Sequence, residues 1–316
     1  MLARAAFAAL FALPLLARVE PFAADFKFVE PFGIVFDKAG NSYVIEYKGN
    51  RLIRFDPNGK PTVLLTDKDV HEPHGVVIAP NQQLFIADTH NNRVLRMDLK
   101  TRELVTVAGT GDAGFAGDGG PAVQAKFKGI FAIDLAPAGD KLYIADLTNR
   151  RVRMVNLKSG IVSTIAGTGE SAEPTDGADA AKSPLVDPRA VAADDRGNVY
   201  ILERRGNALR VVDRAGRIRT LIKPGSIEPN LNGPKHLCID RNGDVIIADA
   251  ENHLVRRYSV KSGRTVTIAG TGKPGDRIVA GDPLATELSR PHGVWVHPNG
   301  TLYITDSYNH RILRVR

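Results

Sequence analysis

The pattern of apolar and polar positions along the chain is that of short β-strands repeated many times. Six segments share one order: a proline or small residue, an alternating apolar run, a tight turn, a second apolar run ending in an acid, a polar loop and a third apolar run. Such alternation predicts strands, whereas a helical repeat would show a period of about 3.6 residues. The segments begin at Pro31, Pro73, Ile130, Pro188, Pro234 and Pro291.

A fourth apolar run follows the third in most repeats, as in ELVTVAG, IVSTIAG and RTVTIAG. Four antiparallel strands repeated six times predict an all-β fold, a six-bladed β-propeller of four-stranded blades. We name the strands of each blade a to d, from the central channel outward. Because the last repeat ends the chain at its c strand, we expect the N-terminus, near residues 25–29, to supply the outer strand of the last blade. The propeller domain then spans residues 25–316.

The first residues have the composition of an export signal. Arg4 precedes an apolar run over residues 5–16, and the small residues Ala17 and Ala24 follow. The run is too short to span a bilayer, which takes about 20 residues. We therefore expect residues 1–24 to be a signal peptide cleaved near Ala24, with Ala17 as the alternative. The mature chain is expected to be secreted or periplasmic and to contain no transmembrane segment.

Charge and cysteine content narrow the possible partners. Lys and Arg number 42 against 35 Asp and Glu, a formal net charge of +7 that favours anionic partners. The single cysteine, Cys238, excludes an internal disulfide and a cysteine metal cluster. Its place between Leu237 and Ile239 in an a strand predicts a buried, inert core thiol.

An acid closes the b strand of every repeat. Asparagine follows three positions later in four repeats, and arginine often follows five positions later, at Arg51, Arg93, Arg151 and Arg311. A carboxylate in such a loop can accept backbone N–H groups and pair with the arginine. Since an active site needs one constellation and not six copies, we interpret these acids as structural and not as a calcium or catalytic array. We call them the ring acids: Glu46, Asp88, Asp146, Glu203, Asp249 and Asp306.

The position after the first residue of each a strand breaks the repetition. In a propeller this position comes near the mouth of the central channel. Successive blades place there Phe32, His74, Phe131, Arg189, Lys235 and His292.

The basic members of this set predict an anion site. Arg189 and Lys235 come from adjacent blades, and Arg204 follows the ring acid of the same blade as Arg189. With His236 beside Lys235, they are the candidate ligand-binding residues, for a carboxylate or phosphate group. The alternative is that the nearby ring acids, Glu203 and Asp249 first, neutralise these cations.

The b–c loops and the long d–a loops lie on the face of this mouth and carry the length variation of the chain. Variable loops on a rigid scaffold usually hold binding sites. Besides the b–c loops, this face is predicted to contain residues 67–73, 108–129, 166–187, 222–233 and 269–290.

Two repeats resemble the blade signature of the NHL-repeat family. They read PHGVVIAPNQQLFIADTHNNRVLRMD and PHGVWVHPNGTLYITDSYNHRILRVR, and the loops AGTGDAGFAGDGGPAVQAKF and AGTGKPGDRIVAGDPLATEL are also similar to those of the family. The resemblance implies a six-bladed propeller over the whole mature chain. The family includes protein-binding modules, RNA-binding modules and a zinc-dependent lyase that releases amidated peptides, so it does not by itself fix a function.

Similarity to that lyase implies a metal site at His74 and His292, whose proline-histidine contexts match its zinc ligands. The third ligand position holds Arg189, and a guanidinium cannot bind zinc. Arg204 after Glu203 stands in the place of the lyase's catalytic arginine, so these two are the candidate catalytic residues.

Three classes of function remain open. The favoured one is an exported, monomeric binding module, not an enzyme, that takes a protein, peptide or glycan ligand, anionic ones included, through its loop-rich face and channel mouth. The second is a lyase or lactonase that uses a divalent metal, zinc or calcium, at the mouth. The third is an RNA-binding propeller, which the export signal and the few loop aromatics, Tyr47 and Tyr308, speak against. The sequence leaves the ligand and any turnover open.

Overall fold

The computed structural model describes residues 18–316, which form a ring of six four-stranded antiparallel sheets around a central channel. The predicted all-β, six-bladed propeller is therefore confirmed. Most of the predicted signal peptide, residues 1–17, lies outside the described residues. Within the described part of the chain, no helix is long and apolar enough to cross a membrane.

The strands of each blade follow one another in sequence from the channel outward. Blade 1 contains β2 (Pro31–Phe36), β3 (Ser42–Glu46), β4 (Arg51–Phe55) and β5 (Pro61–Leu65). Blade 2 contains β6 (Gly75–Ile78), β7 (Gln83–Asp88), β8 (Arg93–Asp98) and β9 (Leu104–Ala108). Blade 3 contains β10 (Ile130–Leu135), β11 (Lys141–Asp146), β12 (Arg151–Asn156) and β13 (Val162–Ala166).

The other three blades repeat this order. Blade 4 contains β14 (Pro188–Ala193), β15 (Val199–Glu203), β16 (Ala208–Val212) and β17 (Ile218–Ile222). Blade 5 contains β18 (His236–Ile239), β19 (Val245–Asp249), β20 (Leu254–Tyr258) and β21 (Thr265–Ala269). Blade 6 contains β22 (Gly293–Val296), β23 (Leu302–Asp306), β24 (Arg311–Val315) and, as its outer strand, β1 (Val19–Phe22). Short 3-10 helices lie at Thr89–Asn91, Ala122–Gln124, Ala180–Lys182, Ala250–Asn252 and Ser307–Asn309.

The N-terminus closes the ring, as predicted, but through different residues. Val19 pairs with Val315 and Phe22 with Ile312, whereas residues 25–29 form no strand. The chain must pass from the outer edge of blade 6 to the inner strand of blade 1, across three strand spacings of about 4.8 Å each. A strand at 25–29 would leave too little chain for this crossing before Pro31.

A single carboxylate fastens this closure. Glu20 lies 2.7 Å from Arg314, 3.2 Å from Arg18 and 3.4 Å from Arg316. These ion pairs and the β1–β24 ladder attach the N-terminal strand to the last blade, which closes the ring.

The core consists of apolar layers between neighbouring blades. Fully buried side chains such as Ile45, Leu84 and Leu209 fill these layers, so each blade face packs on the next. The rigid ring fixes the inner ends of the a strands, where the candidate site lies.

Candidate functional site

The six ring acids are completely buried and serve the fold. In each blade the carboxylate accepts a backbone N–H from the preceding d–a loop, for example His71 N–H on Asp88 at 2.7 Å and Ser289 N–H on Asp306 at 2.6 Å. In four blades the asparagine three residues on also donates to it. These contacts satisfy the carboxylates within the blade, which agrees with the structural interpretation of these acids.

The arginine that pairs with each ring acid comes from two alternative positions. In blades 1, 2 and 6 it lies five residues on, as in the 2.7 Å contacts of Arg93 with Asp88 and of Arg311 with Asp306. In blades 3, 4 and 5 it lies seven residues on, at Arg153, Arg210 and Arg256, with acid contacts of 3.7, 2.7 and 3.2 Å. The predicted pairing of Arg151 with Asp146 is wrong, because Arg151 donates to the carbonyls of Asn149 and Thr168 instead.

The channel mouth is built by the first residues of the a strands. In blades 1, 3 and 4 the a strand carries a register shift at this position, so that Phe32, Phe131 and Arg189 lie at bulges. A bulge re-aims a side chain relative to the regular alternation of a strand. His74, Lys235 and His292 occupy the equivalent place just before or at the start of their strands, and their backbone N–H groups still bond to the neighbouring b strand.

One half of the mouth is a stack of four rings. Phe32 stacks on Tyr47 at 4.7 Å and on His292 at 4.2 Å between ring centres, and His292 stacks on Tyr308 at 5.8 Å. His74 meets Phe32 edge-on at 4.9 Å. The outer ring of the stack, Tyr308, is 46% exposed, so blades 1 and 6 offer an aromatic surface at the mouth.

The opposite half carries a buried cation without an acidic partner. Arg189 is only 5% exposed, and its guanidinium makes no ion pair and donates no hydrogen bond among residues 18–316. Its contact is the face of Phe131, 4.3 Å from the guanidinium carbon to the ring centre. Burial, and then the charge of Arg204, lowers the pKa of Arg189 to about 9. The charge of Asp187 acts in the opposite direction and raises the pKa of Arg189, although its carboxylate forms no ion pair with Arg189.

The other two predicted cations flank Arg189. Burial and the charges of Arg189 and Arg204 lower the pKa of Lys235 to about 8, although its ammonium lies 3.4 Å from Glu251. Glu251 is shared, because it also binds Arg290 at 2.7 Å. Arg204, half-buried, makes no ion pair within the described chain.

The ring acids do not neutralise this cluster, which corrects the alternative given above. Glu203 pairs with Arg210, and Asp249 pairs with Arg256. As a candidate catalytic residue, Glu203 is fully buried and its carboxylate also accepts the Val186 N–H at 2.7 Å.

The two mouth histidines are held as neutral imidazoles. Nδ1–H of His74 donates to the Glu72 carbonyl at 3.0 Å, and Nδ1–H of His292 donates to the Arg290 carbonyl at 2.9 Å. Burial and the charge of Arg189 keep the pKa of both well below the usual range.

Their suitability for a metal is limited by their neighbours. Phe32 contacts both rings, and Arg189 is the charge nearest to them across the mouth. No His, Cys, Asp or Glu of residues 18–316 joins the pair as a third ligand. A metal at His74 and His292 therefore lacks a third ligand within the described residues, and it stays a prediction.

The central channel contains a cavity of about 750 Å³, and it opens on the face opposite the long loops. Its opening lies among the a–b turns at residues 37–40, 79–82, 136–137 and 297–298. This opening was not predicted from sequence, because the a–b turns are short and uniform. The residues that could have indicated it are those of the a strands that line the channel.

Two sequence-predicted residues lie in this channel. His236 lines its wall, and burial and the charge of Arg189 lower its pKa to about 4. Cys238, expected to be a buried core thiol, is half-buried and lines the same wall, although burial does raise its pKa. The neighbouring Leu237 is buried in the core, and Cys238 packs against the next core layer from the channel side.

The family model of the NHL repeat matches residues 70–97, 231–258 and 288–314. NHL repeat-containing protein 2 of Gallus gallus is 23% identical over 334 residues, covering 89% of this chain and 46% of that protein. Protein SUPPRESSOR OF QUENCHING 1, chloroplastic, of Arabidopsis thaliana is 24% identical over 263 residues, covering 77% and 25%. The chain thus spans less than half the length of these curated relatives.

Solved structures share the fold. A structural genomics protein of unknown function from Bacteroides thetaiotaomicron superposes with a TM-score of 0.73 at 15% identity, covering 95% of this chain and 75% of that one. Virginiamycin B lyase from Staphylococcus aureus superposes with a TM-score of 0.61 at 13% identity, covering 95% and 99%. At such identities the likeness concerns the fold and not the chemistry.

Proposed function

Because the chain is an NHL-repeat β-propeller, we propose that it is a binding module that takes an anionic ligand at its channel mouth. The ligand is an acidic segment of a protein, peptide or glycan, bound on the face of the long loops. The observation that carries the proposal is the unpaired guanidinium of Arg189 in a mouth where Lys235 and Arg204 add further positive charge.

The cost of that charge supports a ligand. A buried cation without a counter-ion destabilises the free protein, and an incoming carboxylate or phosphate removes that cost. Lys235 shares its one acid with Arg290, and Arg204 has no acid within the described residues, so both can turn to a ligand. Charge-assisted hydrogen bonds from these groups would be stronger than neutral ones.

The aromatic half of the mouth supplies contact area. Tyr308 is 46% exposed at the end of the ring stack, and Tyr47 is half-buried at the other end. Tyrosine at a binding surface contributes apolar area together with a hydroxyl at little cost in conformational entropy. A ligand with an acidic group and an apolar neighbour fits both halves at once.

The second candidate, a metal-dependent lyase, has one favouring observation. Both mouth histidines donate through Nδ1, which leaves Nε2 unprotonated and able to ligate. Two such donors beside an arginine do not complete a catalytic site, so we place this function second. A metal titration monitored by calorimetry tests it, and a stoichiometric zinc site abolished by His74→Ala would favour the lyase.

We also propose that the protein is exported, with cleavage after Ala17 and not after Ala24. Cleavage after Ala17 keeps β1, the strand that closes the ring, whereas cleavage after Ala24 removes it. Mass spectrometry of the protein secreted by a bacterial host distinguishes the two positions.

Binding of labelled peptides measured by fluorescence anisotropy tests the proposed function. We expect hexaglutamate to bind saturably and hexalysine not to bind. Lys235→Ala should weaken binding of hexaglutamate by about tenfold, which corresponds to the loss of one charged contact. Arg205→Ala is the matched control, since Arg205 is an exposed arginine next to Arg204, and it should change the affinity by less than about twofold. Equal losses in both variants would show a non-specific effect of surface charge and would contradict a site.

A further inference from the structure

A second break in the repetition lies deeper in the channel. One residue of each a strand pairs with the residue three positions before the ring acid of its blade, and it therefore has the same place in all six blades. The six residues are Val35, Val77, Asp134, Ala192, Cys238 and Trp295. Five of them are uncharged, and blade 3 alone places a carboxylate there.

This carboxylate lies in the wall of the central cavity. Asp134 lines the cavity together with apolar side chains such as Val77, Leu135 and Val296, and with Trp295. The volume of about 750 Å³ falls in the range of small-molecule sites, and apolar walls with one or two polar groups are typical of them.

Asp134 has no cationic partner within residues 18–316. Its Oδ2 accepts the backbone N–H of Ala193 at 2.8 Å, and no lysine, arginine or histidine pairs with it. Lys38, at the opening of the cavity, donates to the Pro80 carbonyl at 2.9 Å. Burial raises the pKa of Asp134 to about 7, which shows that its charge is poorly compensated.

The other ionisable groups around the cavity do not replace the missing counter-ion. His74 and His236 are neutral near pH 7, because burial lowers the pKa of both, and the pKa of Cys238 is raised. The further titratable or charged groups are Asp37, Lys38 and His297 at the opening, Tyr143 opposite Asp134 on β11, and Asp240 directly after β18.

We propose that the channel binds an organic cation: an ammonium group on a small apolar body, with the Asp134 carboxylate as its counter-ion. The apolar walls cover the body of the ligand, and the single tryptophan, Trp295, adds an aromatic surface of the kind that attracts ammonium groups. This site goes beyond the proposed function. It opens on the opposite face, and its lining contains none of Arg189, Arg204 and Lys235.

Hexyltrimethylammonium chloride is a suitable probe, because its charge does not change with pH. Calorimetric titration at pH 8 should show saturable binding, and titration of the single tryptophan's fluorescence should give the same midpoint, which locates the probe in the channel. Asp134→Asn should weaken binding by at least about tenfold. Asp140→Asn, at an exposed acid in the a–b turn of the same blade, should leave it unchanged.

Asp134→Val is the second variant, since blades 1 and 2 carry valine at this position and the fold accommodates it. It should also lose binding, and unlike Asp134→Asn it introduces no new polar group. Between pH 8 and pH 6 the affinity of the wild-type protein should fall about tenfold, as protonation removes most of the Asp134 charge. The binding of 1-hexanol, a neutral probe, should not follow pH.

Several outcomes would overturn the proposal. They are no saturable binding, binding without a change in the tryptophan fluorescence, binding by the Asp134 variants as tight as that of the wild-type protein, or a pH dependence shared by hexanol. Because a cationic probe reports on the channel and an anionic probe reports on the mouth, failure here is separate from failure of the anion site at the mouth.

Discussion

Arg189 lies over the ring of Phe131, with 4.3 Å between the guanidinium carbon and the ring centre, in a mouth that gives it no acidic partner among residues 18–316. A cation–π contact compensates a buried guanidinium only in part. The other buried arginines, Arg153, Arg210 and Arg256, each have an acid and serve the fold. Arg189 is therefore available to a ligand, whereas the paired arginines stabilise the blades.

Replacing a blade arginine should therefore be far more costly than replacing one at the mouth. Arg210→Ala leaves the buried carboxylate of Glu203 without its cation, and we expect a loss of about 3–5 kcal/mol in the free energy of unfolding. Arg204→Ala should change it by less than about 0.5 kcal/mol. Urea denaturation of both variants checks this, and a large loss for Arg204→Ala would show that Arg204 has a structural partner.

The free space around the glycine that follows the mouth residue differs between blades 2 and 6. A methyl group on Gly293 would lie 2.2 Å from the Phe32 carbonyl oxygen, whereas at Gly75 the nearest atoms are 3.4 Å away. Gly293→Ala should therefore destabilise the fold by about 2 kcal/mol or more, and Gly75→Ala by much less. Thermal denaturation of the pair measures the difference, and equal melting temperatures would mean that blades 1 and 6 are less closely packed than described.

Ring closure can be tested by two truncations. Removing residues 1–17 leaves β1 in place, and the melting temperature should not change. Removing residues 1–22 deletes β1 and the Glu20 ion pairs, exposing the edge of β24, and should lower the melting temperature by several degrees. The same melting temperature for both truncated proteins would refute closure by Val19–Phe22.

His236 should make stability depend on pH in the acidic range. Its pKa is lowered to about 4 in the folded protein from a model-peptide value near 6.5, so the unfolded chain binds its proton first. The stability contribution is complete above about pH 6.5 and is lost as the pH falls toward 4. His236→Gln should make the fall in unfolding free energy over this window shallower, and denaturant titrations at several pH values measure it. An unchanged slope would place His236 in solvent.

The alternating strands and the six ring acids were predictable from sequence, because each depends on local patterns repeated six times. The mouth residues Arg189, Lys235 and His74 were predictable because they stand at a position where the residue type differs from repeat to repeat. The choice between arginines five and seven residues after the acid was not predictable. Arg151 and Arg153 both stand in blade 3, and only tertiary packing decides which one reaches Asp146.

The closing strand was assigned to the wrong residues for a geometric reason. Phe26 and Phe28 alternate like a strand, yet they pack on Phe55 with ring centres 5.0 and 5.8 Å away, while VEPF forms β1. Asp134 was not predicted from sequence, because a single acid in an apolar strand belongs to no motif. Only its pairing with Tyr143 shows that it stands where the other five blades have an uncharged residue.

The most direct test of the binding site is the thermal shift caused by inorganic phosphate in the wild-type protein and in Arg189→Ala, with Arg205→Ala as control. At a phosphate concentration about 100 times the Kd, binding should add about 2.7 kcal/mol to the stability of the wild-type protein and of the control. Arg189→Ala should fold without loss of stability in the absence of phosphate, and only the general salt effect should remain when phosphate is added. A destabilised Arg189→Ala, together with a phosphate effect equal in all three proteins, would show that Arg189 serves the fold and that the mouth is not an anion site.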